Sequence, residues 1–208
     1  MSSSLYQENK NQKWSETDPF TEDRYRQFLK YIKDNTSILD IGSNTGRGGQ
    51  IIKSLLKNCK VFGVELVKER IELVPNNVYE YIFNKSINDC SFGDLTFDYI
   101  IAGEVIEHIP EIDFALMLTK CKSILKENGL IIFTTPNPNS FLVKLGNKAV
   151  FNDPSHVNIM TISKFKSIVN KSGLKLITIK GSGRVTKFIS PNFPLINVFG
   201  SYLSILSK

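Results

Sequence analysis

Residues 37–46 read Ser37-Ile38-Leu39-Asp40-Ile41-Gly42-Ser43-Asn44-Thr45-Gly46. The first five form a short apolar run interrupted by one carboxylate, which predicts a buried strand. The rest is a Gly-rich turn, continued by Arg47-Gly48-Gly49. A helical pattern follows through Ile51, Ile52, Leu55 and Leu56. Strand, glycine turn and helix in that order mark the opening of a βα unit, and the chain repeats the alternation. Strands are expected at 60–65, 78–83, 97–103, 130–135, 174–179 and 202–206, with helices at 114–125 and 162–169. Asn128-Gly129 is expected to end the first of these helices and Gly173 to cap the second. Alternation of this kind predicts an α/β fold with a mostly parallel sheet and helices on both faces. In such sheets ligands bind at the carboxyl ends of the strands, near the switch point. The residues to interrogate are therefore Asp40–Gly46, Glu65, the segment after Phe83, Gly103–His108 and Thr135–Asn137.

The composition agrees with an ordinary globular chain. Of 208 residues, 41% are hydrophobic and 22% charged, which excludes fibrous, collagen-like and wholly disordered classes. The net charge of +6 is mild, and it fits a solvated lysine-rich surface rather than the basic stripe of a nucleic-acid binder. Three scattered cysteines, with no CxxC, argue against a disulfide framework or a zinc site and point to a reducing, cytoplasmic setting. The polar stretch 1–13 has no apolar segment of a leader, and no run approaches the ~20 apolar residues of a membrane span. No stable membrane insertion is expected. The apolar stretch 193–206 is broken by Pro194, Asn197, Gly200 and Ser201, so it reads as the approach to a last strand.

The glycine turn is weak evidence alone, but its details sharpen it. A dinucleotide fingerprint, GxGxxG, is absent: the spacing is Gly42-x-x-x-Gly46, and the frame from Gly46 places Ile51 at the third glycine. Asp40 at the strand end would repel a pyrophosphate and suits an amine-bearing ligand. Glu65, ending the second strand, can accept two hydrogen bonds from a ribose diol.

These residues resemble motif I of class I S-adenosylmethionine-dependent methyltransferases, (D/E)xGxGxG, with Asn44 at the middle glycine. Asn tolerates left-handed backbone better than most residues. Further matches follow in order. Glu65 resembles the ribose-binding acid, and Phe97-Asp98-Tyr99-Ile100-Ile101-Ala102 resembles the FDxI strand. Gly103-Glu104-Val105-Ile106-Glu107-His108-Ile109-Pro110 resembles the E(V/M)(I/L)EH segment. Leu125-Lys126-Glu127-Asn128-Gly129 is similar to LKPGG, Thr134-Thr135-Pro136-Asn137 to the TPN turn, and His156–Gly173 to the H…T…L…SGF segment. The set spans residues 38–179 and is closest in look to ubiquinone-biosynthesis-type and glycan- or natural-product-modifying O-methyltransferases.

The resemblance implies one Rossmann-like domain over 1–208. Residues 1–34 would form an N-terminal lid or helix, 35–180 a cofactor-binding core, and 181–208 a C-terminal strand region. The sheet would have seven strands, the last antiparallel. It implies S-adenosylmethionine as methyl donor, bound by Asp40, Gly42, Ser43, Asn44, Gly46, Glu65, Leu66, Ser86, Ile87, Gly103 and Glu104. The implied activity is methyl transfer to an acceptor oxygen of a sugar, glycan or other small metabolite.

Proton removal from an acceptor hydroxyl calls for a base. The only two histidines, His108 and His156, both fall at motif positions. With Glu107 they are the expected catalytic residues. Structural readings stand beside these: Glu107 and His108 could orient their loop, and His156 could be a hydrogen-bonding anchor. In ubiquinone-type relatives the resemblance implies a divalent cation near Glu104, Glu107 and His108. Such an ion would serve a phenol or quinone-precursor acceptor, and no metal ligand is assigned here. The segment 14–31 interleaves Trp14, Phe20, Tyr25, Phe28 and Tyr31 with Arg24 and Arg26. It reads as a helix packed on the core that also closes over the donor, with the arginines on a solvated face or facing an anionic acceptor. The (D/N/S)PP(Y/F/W) and Pro-Cys motifs of nucleobase methylation are absent, so no nucleic-acid partner is expected. A nicotinamide oxidoreductase is disfavoured by the glycine spacing, and a non-catalytic donor-binding protein by the presence of Asp40, Glu65 and His108.

Overall fold

The computed structural model describes residues 3–12 and 14–208, with the side chains of residues 3–5, 14 and 15 outside the description. Trp14, expected in the aromatic face of the N-terminal helix, is thus placed by its backbone alone. Three helices lead in: α1 (Ser3–Asn11), α2 (Trp14–Thr17) and α3 (Thr21–Leu29). Then follow β1 (Ser37–Ile41), α4 (Arg47–Leu55), β2 (Lys60–Val64), α5 (Lys68–Ile71), β3 (Tyr81–Phe83) and β4 (Phe97–Gly103). The chain continues with α6 (Glu111–Ile124), β5 (Leu125–Pro136), α7 (Phe141–Lys144), α8 (Ala149–Asn152), α9 (Ile162–Ser172), β6 (Lys175–Ser182) and β7 (Ser201–Ser207).

The seven strands form one sheet in the order β3-β2-β1-β4-β5-β7-β6. β1 pairs in parallel with both β2 and β4, so the strand order reverses beside it and a crevice opens at its carboxyl end. β7 runs antiparallel between β5 and β6, as the resemblance implies. The period of two along each strand divides the core into two layers. On β1, Leu39 and Ile41 face the layer of Phe114, Leu118 and Cys121 of α6 and Phe165 of α9. Ile38 faces the opposite layer, with Tyr25 and Phe28 of α3 and Ile52 of α4. Helices thus cover both faces.

Several boundaries differ from the sequence expectation, among them those of β3, α6 and β5. β3 begins at Tyr81 rather than at 78. The helix expected to run to Leu125 and end at Asn128-Gly129 stops at Ile124, and β5 starts at Leu125. Asn128 and Gly129 lie inside an irregularity of β5, where Phe97 pairs Leu125 but Tyr99 pairs Leu130. Gly129 is needed there because a Cβ would stand 2.8 Å from the Asp98 carbonyl. The polar N-terminal stretch forms α1, and the loop after β5 holds the short helices α7 and α8. α9 ends as expected, on a left-handed Gly173.

All three cysteines are buried and unpaired. Burial pushes the Cys90 thiol up to about 11 and the Cys121 thiol to about 12. Among the described residues no helix is long and apolar enough to cross a membrane.

Candidate functional site

A cavity of about 670 Å³ opens at the carboxyl ends of β1, β2 and β4. The turn after β1 forms one wall. Gly42, Asn44 and Gly46 have φ of 75°, 51° and 81°, so Asn44 holds the left-handed conformation its residue type allows. A Cβ on Gly42 would meet Val105 Cγ2 at 2.5 Å, which fixes that position as glycine. The Asn44 side chain accepts from the Thr45 amide at 2.7 Å and stiffens the turn.

Glu65 is the hub of this wall. Its carboxylate accepts from the amides of Asn44 and Val67, each at 2.8 Å. Arg70 stands 3.9 Å away. Burial raises the Glu65 pKa, and the two amides and Arg70 work against that rise. Gly42, Ser43, Asn44, Glu65, Leu66, Ser86, Ile87, Gly103 and Glu104 all line the cavity. Two expected donor contacts do not. Gly46 sits behind the turn, against Val74. Asp40 is fully buried, and its two oxygens accept from the Tyr25 and Tyr79 hydroxyls, each at 2.7 Å. Burial pushes its carboxyl up to about 7. Asp40 therefore meets the cavity through Tyr25, which does line it.

The two histidines meet, with ring centroids 4.7 Å apart and planes at 63°. His108 lies in a turn after β4, and its Nδ1 is 3.2 Å from the Ser155 carbonyl. His156 follows α8, and its Nδ1 is 2.7 Å from the Val150 carbonyl. A carbonyl only accepts, so each Nδ1 carries the proton in these contacts and each Nε2 keeps its lone pair. Burial, aided by the neighbouring His156, lowers the His108 pKa to about 4. Asp153 is 3.8 Å from His156 Nε2. Glu107 is buried and accepts from Thr135 Oγ1 at 3.1 Å. Burial and the nearby Glu104 raise its pKa well above the carboxylate range. One ligand atom each of Glu107, His108 and His156 lie within 4.8 Å of one another. Glu104 stands apart from this group. It has a left-handed φ of 56°, an ion pair to Arg24 at 3.8 Å and a hydrogen bond from Ser201 Oγ at 3.3 Å.

Of the two arginines expected on a solvated face or facing an anionic acceptor, Arg24 is turned inward, while Arg47, Arg70, Gln12 and Lys10 near the cavity carried no signal in the sequence. Arg24 also pairs with Asp18 at 3.0 Å, so its charge is met by two carboxylates. Arg26 points outward and pairs with Glu22 at 2.8 Å, the solvated face expected of it. Arg47 donates to the Glu16 and Asp18 carbonyls at 3.2 and 3.0 Å. Arg70 donates to the Asn9 and Gln12 carbonyls at 2.6 and 2.9 Å. Gln12 donates to Asp153 at 2.8 Å, and Lys10 pairs with Glu69. Residues 9–12 and 16–18 are thereby strapped along the cavity, which Asn9, Gln12 and Asp18 help to line. The residues present fit a donor bearing an amino-acid head and a ribose: Ser43 Oγ and Glu104 Oε1 are buried there without a hydrogen-bond partner.

A family model described as a methyltransferase domain matches residues 6–179. The ubiquinone biosynthesis O-methyltransferase of Coxiella burnetii is 27% identical over 172 residues, covering 74% of this chain and 71% of that protein. The mitochondrial ubiquinone biosynthesis O-methyltransferase of Bos taurus is 27% identical over 164 residues, covering 69% of this chain. This chain spans 42% of the length of the bovine protein. Among solved structures, a SAM-dependent methyltransferase from Archaeoglobus fulgidus superposes with a TM-score of 0.71 at 20% identity, over 90% of this chain and 92% of that one. The CcbJ methyltransferase of Streptomyces caelestis gives 0.70 at 13% identity, over 91% and 90%. With the sheet order, the crevice beside β1 and the family match in agreement, the chain belongs to the methyltransferase-domain family and is a class I S-adenosylmethionine-dependent methyltransferase.

Proposed function

We propose that this enzyme methylates an oxygen of a small-molecule acceptor, with His156 as the proton acceptor. When bound, S-adenosylmethionine supplies an electrophilic methyl group on a sulfonium. Gly42, Ser43 and Asn44 would hold its amino-acid end, with Asp40 acting behind them through Tyr25. Glu65 would take the ribose hydroxyls, with Leu66 beside it, and Ser86 and Ile87 would border the adenine. Gly103 and Glu104 would complete the wall nearest the reacting centre. Alignment of acceptor and methyl supplies the larger part of the acceleration, about 7–11 kcal/mol in well-oriented systems.

The observation that carries this reading is the histidine pair in the cavity wall. His156 Nε2 keeps its lone pair, and Asp153 at 3.8 Å stabilises the imidazolium that proton uptake would form. His108, held to about 4, stays neutral and leaves that single positive charge to its neighbour. Burial and the nearby Glu104 disfavour the charged form of Glu107, which weakens its competition for that charge. Because Arg24 is already met by Asp18 and Glu104, the acceptor end favours a neutral molecule over an anionic one.

Two acceptor classes follow from this chemistry: a sugar or glycan hydroxyl, and a phenol. The second is supported by the names of the two O-methyltransferase relatives and by the closeness of Glu107, His108 and His156, which could together hold a divalent cation. A carboxylate and two imidazole nitrogens suit a borderline ion such as Zn²⁺.

The test is methyl transfer from labelled donor to a panel of catechols, sugars and nucleotide-sugars, with and without chelator. His156→Asn should cut turnover by about 10²–10⁴-fold while donor affinity, read by calorimetry, stays unchanged. Equal turnover in that variant would remove His156 from the chemistry. Turnover of catechols that collapses with chelator and returns with Zn²⁺ or Mg²⁺ would establish the cation-dependent phenol reading. Chelator-insensitive turnover of sugars would establish the other. Glu65→Gln should weaken donor binding about 10- to 100-fold, the worth of charge-assisted hydrogen bonds.

A further inference from the structure

We infer that the outer face of α6 and α9 is the interface of a two-fold symmetric homodimer. The two α6 helices pack antiparallel across Ile112 and Leu116, and each Glu111 faces the partner's Lys171. The inference does not depend on which acceptor is methylated.

Three observations carry it. The first is that α6 is apolar on both sides. Phe114, Met117, Leu118 and Cys121 are buried in the core. On the outer side Ile112 and Leu116, one turn apart, are 77% and 56% exposed, with Ala115 exposed between them. A helix with a single buried face carries polar residues on the other, whereas one that is apolar all round is covered all round. The small Ala115 lets a second helix approach closely, because the side chains at the contact set the distance between helix axes.

The second is the groove beside that stripe. A volume of about 470 Å³ lies between α6 and α9, lined by Ala115 and Ile168 and bounded by Glu111 and Lys171. The two helices run in the same direction. Lys164 at the start of α9 pairs with Glu111 at the start of α6 at 2.7 Å. Lys122 near the end of α6 donates to the carbonyl of Gly173, the cap of α9, at 2.9 Å. Glu111 and Lys171 therefore stand at opposite ends of the groove.

The third is charge. α6 opens with Glu111 and Asp113, while α9 carries Lys164, Lys166 and Lys171 and no acid. The Glu111 side chain keeps 54% exposure beside Lys164. Lys171 is exposed and, among the described residues, meets no carboxylate. The groove is thus acidic at one end, apolar in the middle and basic at the other, a pattern that a two-fold axis makes complementary to itself. Rotation about an axis near Ala115 and Leu116 brings each Glu111 to the partner's Lys171. It also sets the amino ends of α6 and α9 against the carboxyl ends of the same helices in the other copy, so the helix dipoles offset. α6 begins three residues after His108, so this pairing would brace the turn that holds the histidine.

Sedimentation equilibrium of the full chain reads the association. A dimer with Kd of about 1–100 µM is expected, since a face two helices wide lies at the small end of specific interfaces. Leu116→Glu should weaken it about 100-fold or more by placing a carboxylate at the centre of the contact. Glu111→Lys and Lys171→Glu should each weaken it about tenfold, since each turns two attractive pairs into two repulsive ones. An equimolar mixture of these two variants should regain the starting affinity, because a dimer with one chain of each restores opposite charges at both ends. Glu111, Leu116 and Lys171 do not line the donor cavity, so donor affinity by calorimetry should stay at its starting value and certifies the fold. A chain that stays monomeric to about five times the upper end of that Kd range would overturn the inference and leave the face to another partner. A dimer that Leu116→Glu leaves intact would overturn it too, as would a mixture of the charge variants that fails to associate.

Discussion

Asp40 holds a proton that most aspartates have lost. Buried and met only by two hydroxyls, its carboxyl titrates near 7 instead of 3.8. Between those values the folded protein keeps a proton that the unfolded chain has released. Stability therefore falls as pH rises from about 4 to about 7, by an amount on the order of 4 kcal/mol for so large a shift. In Asp40→Asn that contribution vanishes. Urea midpoints taken across this range should converge between the two proteins at low pH and favour the variant at high pH. Parallel curves would show that the carboxylate is already ionised. Gly42 makes a second residue-scale test. Gly42→Ala should cost roughly 1–3 kcal/mol from left-handed strain and overlap with Val105, with loss of donor binding. Adding Val105→Ala should return the part due to overlap and leave the strain, which a double-mutant cycle in urea separates.

At the scale of elements, α1 and α2 are held less by their own sequence than by two distant arginines. Isolated helices of nine and four residues are marginal in water. Here Arg70 and Arg47 take backbone carbonyls between Asn9 and Asp18. Arg70→Ala should free this strap. Trypsin cleavage at Lys10 should become several-fold faster, and donor affinity should drop about tenfold, the worth of one charge-assisted hydrogen bond. Arg70→Lys should keep part of the strap, since a single nitrogen, Nη2, donates to both carbonyls and an ammonium also carries more than one donor. Unchanged cleavage would mean that the strap is held by its other contacts.

The elements also show where sequence reading stops. β1, its glycine turn and β4 were legible because a buried parallel strand is nearly continuous in apolar residues and its turn in glycine. The end of α6 was misread because Asn128-Gly129 is a helix stop by local rules. Only the approach of the Asp98 carbonyl to Gly129 shows it to be a strand irregularity. The nearness of His108 and His156 is of the same kind. Both were candidates from their motif positions, but a sequence separation of 48 says nothing about rings 4.7 Å apart. Tyr79, Arg70 and Asp153 gave no signal at all, since each acts through a partner from another part of the chain.

The whole molecule is a sheet whose strand order places every residue of the donor wall at one edge. Residues from β1, β2, β4 and the α1–α2 strap line a single cavity, so a donor bound there ties together elements that otherwise open separately. Saturation at about 100 times Kd should add about 2.7 kcal/mol to stability. For a chain of this size that is a rise in melting temperature of roughly 5–10 °C. Scanning calorimetry with S-adenosylhomocysteine reads it, and NAD should give none.

The three buried cysteines add a practical property. Cys59 precedes β2, Cys90 follows the turn of Ser86 and Ile87, and Cys121 lies in α6. With no disulfide and no exposed thiol, the folded protein should be silent to a maleimide. Each cysteine then works as a clock for its own district of the fold, started only when that district opens. Mass spectrometry after a short labelling pulse would time the three separately. A clock at Cys90 that slows on donor binding while Cys121 keeps its rate would map how far the ligand's grip extends.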